Sequence, residues 1–428
     1  MILICTNELA GPTGYHKSVV QLANGLNEVG YPVAVLAFLG GGNVWDRMLP
    51  SWPLDEAIPA FTVRALPAEG GSHLHRGVYP EYSGNLGALR FSFTENQMAV
   101  VRQLNDVLDE DDTIIFTNPA QVLAFQQALG DAARRPHTVL QIHGDYAHHK
   151  ELWEPLKSVR GSLDRLQTVA AGLRAQFIDL FGDSNVEFIP NFPGEGKRAV
   201  PRVSHEGVNI VLPASLQHRK NQLDAVRALA KIDDASVRLS LWGSAHPLNP
   251  YVSAVREEIA RLGLNDRVNI CGFGSEQDVY SEADIVLMTS LSEGFGYPLV
   301  ESMSHSLPVV SYDYNYGARE AIEDGHTGFL IPMLDVDLLA TRLGELSADA
   351  SMRERFGAAG RKRYDQHFSQ EAVGKRYEKF LGPRGEAIDL TEVFAIEGGE
   401  PISTEQISHR VKWRGLSRYH QIRVSGDA

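Results

Sequence analysis

Short apolar runs alternate with stretches of helical spacing along almost the whole chain, and this alternation restricts the fold more than any other feature. Met1–Cys5, Tyr31–Phe38, Thr113–Phe116, Thr138–Ile142 and Arg165–Val169 read as one series of strands, and Val208–Leu212, Val237–Trp242, Val268–Phe273, Ala283–Met288 and Leu307–Ser311 as a second. Runs without polar alternation suit strands covered on both faces, which means parallel sheets with helices above and below. Helices are expected between them at Ser18–Leu26, Phe93–Leu108, Gln121–Leu129, Gly172–Phe181 and Tyr251–Leu262, with longer ones at Met333–Phe356 and Ala358–Phe380. The fold class is therefore α/β, in two Rossmann-like doubly wound domains. A chain of 428 residues is long enough for both. Pro193, Gly194, Gly196 and Pro201 mark a linker over 192–207. The expected domains are thus 1–191 and 208–366, followed by a helix over 367–384 and a small basic β-like appendage over 385–428. Residues 40–95 carry no readable periodicity and form an insertion in the first domain.

Composition narrows the class. With 43% hydrophobic and 22% charged residues the chain is globular rather than disordered. A net charge of −14 speaks against nucleic acid as a partner, because a broad basic surface is missing. Cys5 and Cys271 fall in strand-like runs in different halves, so neither a disulfide nor a metal site is expected. No signal-type start and no run of about 18 apolar residues is present, so a cytoplasmic protein is expected, with any membrane association peripheral.

Chemistry concentrates at Ser290–Glu301. The carboxylates of Glu293 and Glu301 stand eight positions apart, just beyond a predicted strand, where open α/β sheets bind ligands. Gly294, Phe295 and Gly296 make a turn whose backbone N–H groups can approach an anion, and Pro298 suits the first turn of a helix. Acceptors for sugar hydroxyls and donors for a diphosphate are therefore available together. The loop ending at Gly14 has a similar layout, a strand followed by glycines and a helix, and fits either a phosphate site or a plain tight turn. Lys17 follows it, as a phosphate partner or a solvated helix residue. His143 closes the strand Thr138–Ile142 and can donate to a hydroxyl or a developing charge. In residues 40–95, Asp46, Trp52, His73, His75, Arg76, Tyr79 and Tyr82 offer aromatic faces and charged groups for an acceptor, or simply local packing.

The wording of Ser290–Glu301 resembles the Glu-x7-Glu signature of the retaining family 4 glycosyltransferases, which have the GT-B fold, two Rossmann-like domains facing an interdomain cleft. Thr13–Val20 resembles the segment that lines the donor diphosphate side of that cleft, and Ile189-Pro190-Asn191 the exit from the first domain. Tyr312-Asp313-Tyr314-Asn315-Tyr316-Gly317 is similar to the subgroup containing poly(glycerol-phosphate) α-glucosyltransferases of wall teichoic acid and bacterial protein O-GlcNAc transferases. The resemblance runs over residues 1–382.

That resemblance implies roles. Glu293 would bind the sugar hydroxyls, Glu301 the ribose, and Gly14, Lys17, Lys220 and the Gly294–Gly296 backbone the diphosphate. His143 would contact the donor sugar, and the main chain at Gly272 and Phe273 would read the base. His143, Lys220 and Glu293 are thus the catalytic candidates. Family members carry an arginine five residues before the lysine, a place held here by Ser215; Arg219 adjoins Lys220, about 100° around a helix from it. The helix Glu371–Leu381 would cross back onto the first domain. The implied activity is transfer of glucose or N-acetylglucosamine from a UDP-sugar to the hydroxyl of a polyanionic glycan or protein acceptor, with an α-linked product and neither metal nor cofactor. Two alternatives stay open: another donor such as GDP-mannose with a lipid, glycan or serine-rich protein acceptor, and a non-catalytic sugar-nucleotide-binding subunit. Beyond Gly385, Val411–Arg414 alternates like a strand amid basic residues, as either an acceptor-recruiting appendage or an edge-covering tail.

Overall fold

The computed structural model describes residues 1–6, 14–37, 52–63, 95–129, 136–144, 156–157, 160–194, 201–245, 248–390 and 419–422. The chain divides into two compact units, Met1–Val169 with Leu173–Phe192 and Gly374–Ala428, and Ala170–Gly172 with Pro193–Val373.

The first unit is built on a parallel sheet of eight strands: β1 (Ile2–Thr6), β2 (Val33–Ala37), β3 (Ala60–Val63), β4 (Thr113–Phe116), β5 (His137–Ile142), β6 (Arg165–Thr168), β7 (Val186–Phe188) and β14 (Tyr419–Ile422), in the order β14-β3-β2-β1-β4-β5-β6-β7. Every residue of β1, β2 and β4 is buried, as the unbroken apolar runs require. β3 was not readable in the sequence: Ala60-Phe61-Thr62-Val63 is too short a run to stand out from its irregular surroundings. Tyr419–Ile422 pairs parallel with β3 and extends this sheet at its edge, as the edge-covering alternative for the tail expects. Val411–Arg414 lies outside the described residues. The end of the last helix, Gln370–Leu381, belongs to this unit from Gly374 on. There Tyr377 is buried, stacks on Phe192 with ring centres 5.0 Å apart and receives a hydrogen bond from Gln141 Nε2 at 3.3 Å.

The second unit carries a parallel sheet of six strands: β8 (Val208–Pro213), β9 (Val237–Trp242), β10 (Val268–Gly272), β11 (Ile285–Met288), β12 (Val309–Tyr312) and β13 (Gly328–Ile331), ordered β10-β9-β8-β11-β12-β13. Its core joins Ile210, Leu212, Leu239, Leu241, Ile285 and Leu287 to Val226, Leu229, Val255, Leu339 and Leu343 from the covering helices. Asp284 ties the incoming segment down, pairing with Arg202 at 2.7 Å and His205 at 3.3 Å, so the second half of the expected linker is fastened to this unit. The two long helices expected after Met333 are three, Val336–Ala348, Ala350–His367 and Gln370–Leu381. Asp335 and Asp349 cap the first two, accepting the backbone N–H of Leu338 and of Met352, each at 2.9 Å. An aspartate in that position satisfies an orphan helical donor, and Asp349 therefore ends one helix and starts the next. Among the described residues, no helix is long and apolar enough to cross a membrane.

Candidate functional site

In the second sheet the strand order reverses between β8 and β11, and the loops leaving these strands part at the place where open α/β sheets bind ligands. Both loops carry candidate residues. After β8 comes a 3-10 turn at His218–Lys220, followed by Asn221 with φ 49° and ψ 49°, in the left-handed region. The turn is fastened to the end of β11: Leu291 N–H donates to the Arg219 carbonyl at 2.8 Å, Thr289 Oγ1 to the Lys220 carbonyl at 3.0 Å, and the Arg219 guanidinium to the Ser292 carbonyl. Held this way, it sends both cations to one acceptor. Arg219 Nη1 lies 3.0 Å from Glu293 Oε2, and Lys220 Nζ pairs with Glu293 Oε1. The wide angle between adjacent side chains is used here rather than overcome, because each grips a different oxygen of the carboxylate.

Exposure separates the two pairings. The side chains of Glu293 and Lys220 are 10% and 16% exposed, whereas that of Arg219 is 47% exposed. Burial alone would raise the Glu293 carboxyl, but Lys220, Arg219 and hydrogen bonds from Lys220 and Ser290 outweigh it and hold the group below its ordinary value. At Lys220 burial wins instead and lowers the ammonium, with Glu293 opposing it. A desolvated charge of this kind gains much from an incoming counter-charge, so the pair is suited to exchanging partners with an anionic ligand.

The turn beyond Glu293 is shaped from below. Gly296 has φ 83° and opens the helix Tyr297–Ser304, with Pro298 in its first turn. A Cβ at Gly296 would collide with the Tyr314 hydroxyl, so conformation and space both call for glycine. Phe295 and Tyr297, both buried, pack edge to face at 5.1 Å and anchor the turn. Residues after β12 support it: Tyr316 N–H donates to the Glu293 carbonyl at 3.1 Å, and Glu293 N–H to the Asn315 carbonyl at 3.4 Å. Tyr314 itself is buried, and its hydroxyl has no hydrogen-bond partner among the described residues. Burial first, then the Glu293 charge, raise it well above the ordinary phenol range, so it is a protonated donor.

Glu301 stands on the same helix and accepts a hydrogen bond from the hydroxyl of the fully buried Tyr280. Burial and the neighbouring carboxylate keep that phenol protonated. Tyr280 closes the helix Glu276–Tyr280, whose start is a capping box of Ser275 and Asp278. Sequence reasoning missed Tyr280 and gave Tyr314, quoted only as part of the Tyr312–Gly317 motif, no role of its own, since neither stands in a local pattern with Glu301 or Glu293. At the end of β10, Gly272 has φ 80° and open space where a Cβ would stand, while its carbonyl accepts from Gly243 N–H at 2.6 Å. Phe273 follows, 46% exposed. The Ser215 carbonyl accepts from Gln222 Nε2 at 3.0 Å. No cation stands at position 215, and Arg219 is the second cation on Glu293.

The first sheet reverses in the same way between β1 and β4. Tyr15 Oη sits between Thr6 Oγ1 at 2.9 Å and Thr117 Oγ1 at 2.6 Å, bridging the ends of those strands. Gly14 is the first residue of the helix Gly14–Glu28, with open space where a Cβ would be. Lys17 is buried rather than solvated, its Nζ 6.0 Å from the centre of the Trp52 ring. His143 follows β5, with Nδ1 3.4 Å from Ser18 Oγ and its ring edge to face with Tyr15 at 5.7 Å. Burial lowers the imidazole to about 4, so it is neutral at physiological pH, and Nε2 has no hydrogen-bond partner among the described residues. Asp46, His73, His75, Arg76, Tyr79 and Tyr82 lie outside the described residues. The structure thus brings together Arg219, Lys220, Glu293 and the Gly294–Gly296 turn, with Glu301 on the adjoining helix and Gly272 and Phe273 at the end of β10. Gly14, Lys17 and His143 belong to the other unit.

Residues 197–363 match the family of glycosyl transferases group 1. This group 1 region contains the whole cluster of Arg219, Lys220, Glu293 and Glu301. An exopolysaccharide phosphotransferase of Streptomyces coelicolor, SCO2592, is 28% identical over 73% of this chain and 32% of its own length. The poly(glycerol-phosphate) alpha-glucosyltransferase of Bacillus subtilis is 30% identical over 37% of this chain and 23% of its own. The chain therefore spans about a third or less of these two relatives. Anabaena Alr3699/HepE, solved in complex with UDP-glucose, superposes with a TM-score of 0.68 at 19% identity, over 89% of this chain and 98% of its own. At that identity the likeness shows the fold, which is GT-B.

Proposed function

We propose that the protein is a retaining glycosyltransferase that moves glucose or N-acetylglucosamine from a UDP-sugar to an acceptor hydroxyl, giving an α-glycosidic bond. The observation that carries the reading is the buried Glu293 carboxylate held between Lys220 and Arg219 at the strand reversal of the second sheet. A departing nucleoside diphosphate gains negative charge in the transition state, and fixed cations in a place with little water stabilise that charge most when it develops. Glu293 accepts hydrogen bonds from the sugar hydroxyls once the cations turn to the diphosphate, and Glu301, steadied by Tyr280, takes the ribose. Neutral His143 serves as a hydrogen-bond partner of the sugar and not as a cation. The cations this chemistry needs are side chains, so no metal ion is required.

A polyol-phosphate or exopolysaccharide acceptor is favoured by the relatives that match: their names concern poly(glycerol-phosphate) and exopolysaccharide. The test is incubation with a panel of UDP-sugars, with and without a polyol-phosphate polymer, followed by NMR of the product. An α-linked hexose on the polymer, formed equally well in EDTA, supports the reading. Tight UDP binding with no turnover on any acceptor replaces it with a non-catalytic sugar-nucleotide-binding role.

A further inference from the structure

Two cations on consecutive residues reach one carboxylate only because the turn that carries them is held in an uncommon shape, and the group that holds it is not among the candidate ligand residues. Asn221, directly after Lys220, is left-handed, with φ 49° and ψ 49°. The conformation is costly for residues with a Cβ, and asparagine tolerates it when its short side chain finds a local hydrogen bond. Asn221 heads the helix Gln222–Leu229, yet its side chain caps no helical N–H. It turns instead to Asp224, with Nδ2 donating to Oδ2 at 2.7 Å. Asp224 is only 5% exposed. Its Oδ2 also accepts from the Tyr312 hydroxyl at 2.9 Å, and its Oδ1 lies 3.3 Å from Arg227 Nη1.

Tyr312 ends β12, and the chain leaving it supplies Asn315 and Tyr316, which bond to the backbone of Glu293. The contacts form a closed circuit: Asp224 to Asn221, the cation turn to Thr289–Ser292, Glu293 to Asn315 and Tyr316, then back through Tyr312 to Asp224. We propose that Asp224 is the positioning residue of the site: its buried carboxylate locks Asn221 left-handed and so aims Arg219 and Lys220 at the place where the diphosphate binds. Asp224 acts through Asn221 and touches no substrate. The consequence for catalysis rests on the glycosyl-transfer reading above, whereas the consequence for the turn does not.

The experiment compares Asp224→Ala, Asn221→Ala and Asn221→Gly, alone and with Asp224→Ala, by three readouts. The first is acylation of Lys220 in the unliganded protein, followed by mass spectrometry; the second is UDP affinity; the third is kcat and KM for the donor. In Asp224→Ala, Lys220 labelling should rise about tenfold and kcat/KM for the donor fall about 100-fold, the scale of a misplacement near 1 Å. Glycine adopts the left-handed shape without help, so adding Asn221→Gly should reverse most of the rise in labelling and of the fall in kcat/KM, while Asn221→Ala should reproduce both changes. A residue needed only for core packing would show no rescue. Unchanged Lys220 labelling in Asp224→Ala, or labelling that Asn221→Gly does not restore, overturns the proposal. If Asp224→Ala does not fold, the contrast between Asn221→Ala and Asn221→Gly decides by the same labelling. Correct labelling changes in a protein that neither binds UDP nor turns over a UDP-sugar leave the positioning role standing and reject the functional reading.

Discussion

At the scale of single residues, Glu293 and His143 both lose stability on acidification, in different pH windows. The Glu293 carboxyl is held below its ordinary value, so its contribution to stability is complete above the carboxylate range and is lost as pH falls through the lowered value. Glu293→Gln leaves Lys220 largely buried without its counter-charge, an error worth about 1–3 kcal/mol after allowance for the partial exposure of the pair. Melting curves of wild type and Glu293→Gln should therefore differ by a constant amount between pH 6 and 8, with the gap narrowing as pH falls below the ordinary carboxylate range and through the lowered value. A gap that does not narrow at any acid pH at which the protein stays folded would mean that the difference does not come from the ionised carboxylate. His143 is lowered from 6.5 to about 4. Between those values the unfolded chain takes up a proton that the folded one refuses, so stability falls on acidification, by up to ~1.4 kcal/mol per pH unit. His143→Gln should flatten that part of the stability profile; an identical slope in the variant would show that the imidazole is not buried as described.

At the scale of elements, the Gly294–Gly296 turn is the most constrained piece. Gly296→Ala meets both a left-handed backbone, costing about 1–2 kcal/mol, and the Tyr314 hydroxyl. The strand of the cost due to the collision is removable: Tyr314→Phe in the same protein should recover part of the lost melting temperature and of the donor affinity. No recovery would place the whole cost in the backbone. The strand-turn-helix units themselves were legible because their apolar runs are unbroken and their turns are marked by glycine and proline. Three things were not. β3 has too few residues for periodicity to register, and the break at Asp349 lies inside a helical pattern that continues on both sides, although the aspartate is itself a capping signal. The grip of Arg219 and Lys220 on one carboxylate depends on Asn221 and on bonds to Thr289 and Leu291, which no spacing within 215–222 reveals.

At the scale of the whole molecule, two doubly wound parallel sheets were foreseen from the two series of apolar runs; Gly14 and Lys17 follow β1, and Arg219, Lys220 and Glu293 follow β8 and β11, at the reversals, whereas His143 follows β5 and Gly272 and Phe273 end β10 and follow it. The resemblance carried by Ser290–Glu301 pointed to a group 1 match that covers 197–363. The acceptor was not legible, because the aromatic and basic residues proposed to meet it fall in 40–95, which has no readable periodicity, and in 385–428, where only the short run Val411–Arg414 alternates. The central claim is tested most directly by supplying UDP-glucose and UDP-N-acetylglucosamine to wild type and Glu293→Gln with a polyol-phosphate acceptor, and following UDP release and product by NMR. The account predicts α-linked transfer by the wild type, undiminished in EDTA, and a loss of at least about 100-fold in kcat/KM in the variant, the scale on which removal of one well-placed polar group acts. Transfer by Glu293→Gln at the wild-type rate, or a β-linked product, would contradict it.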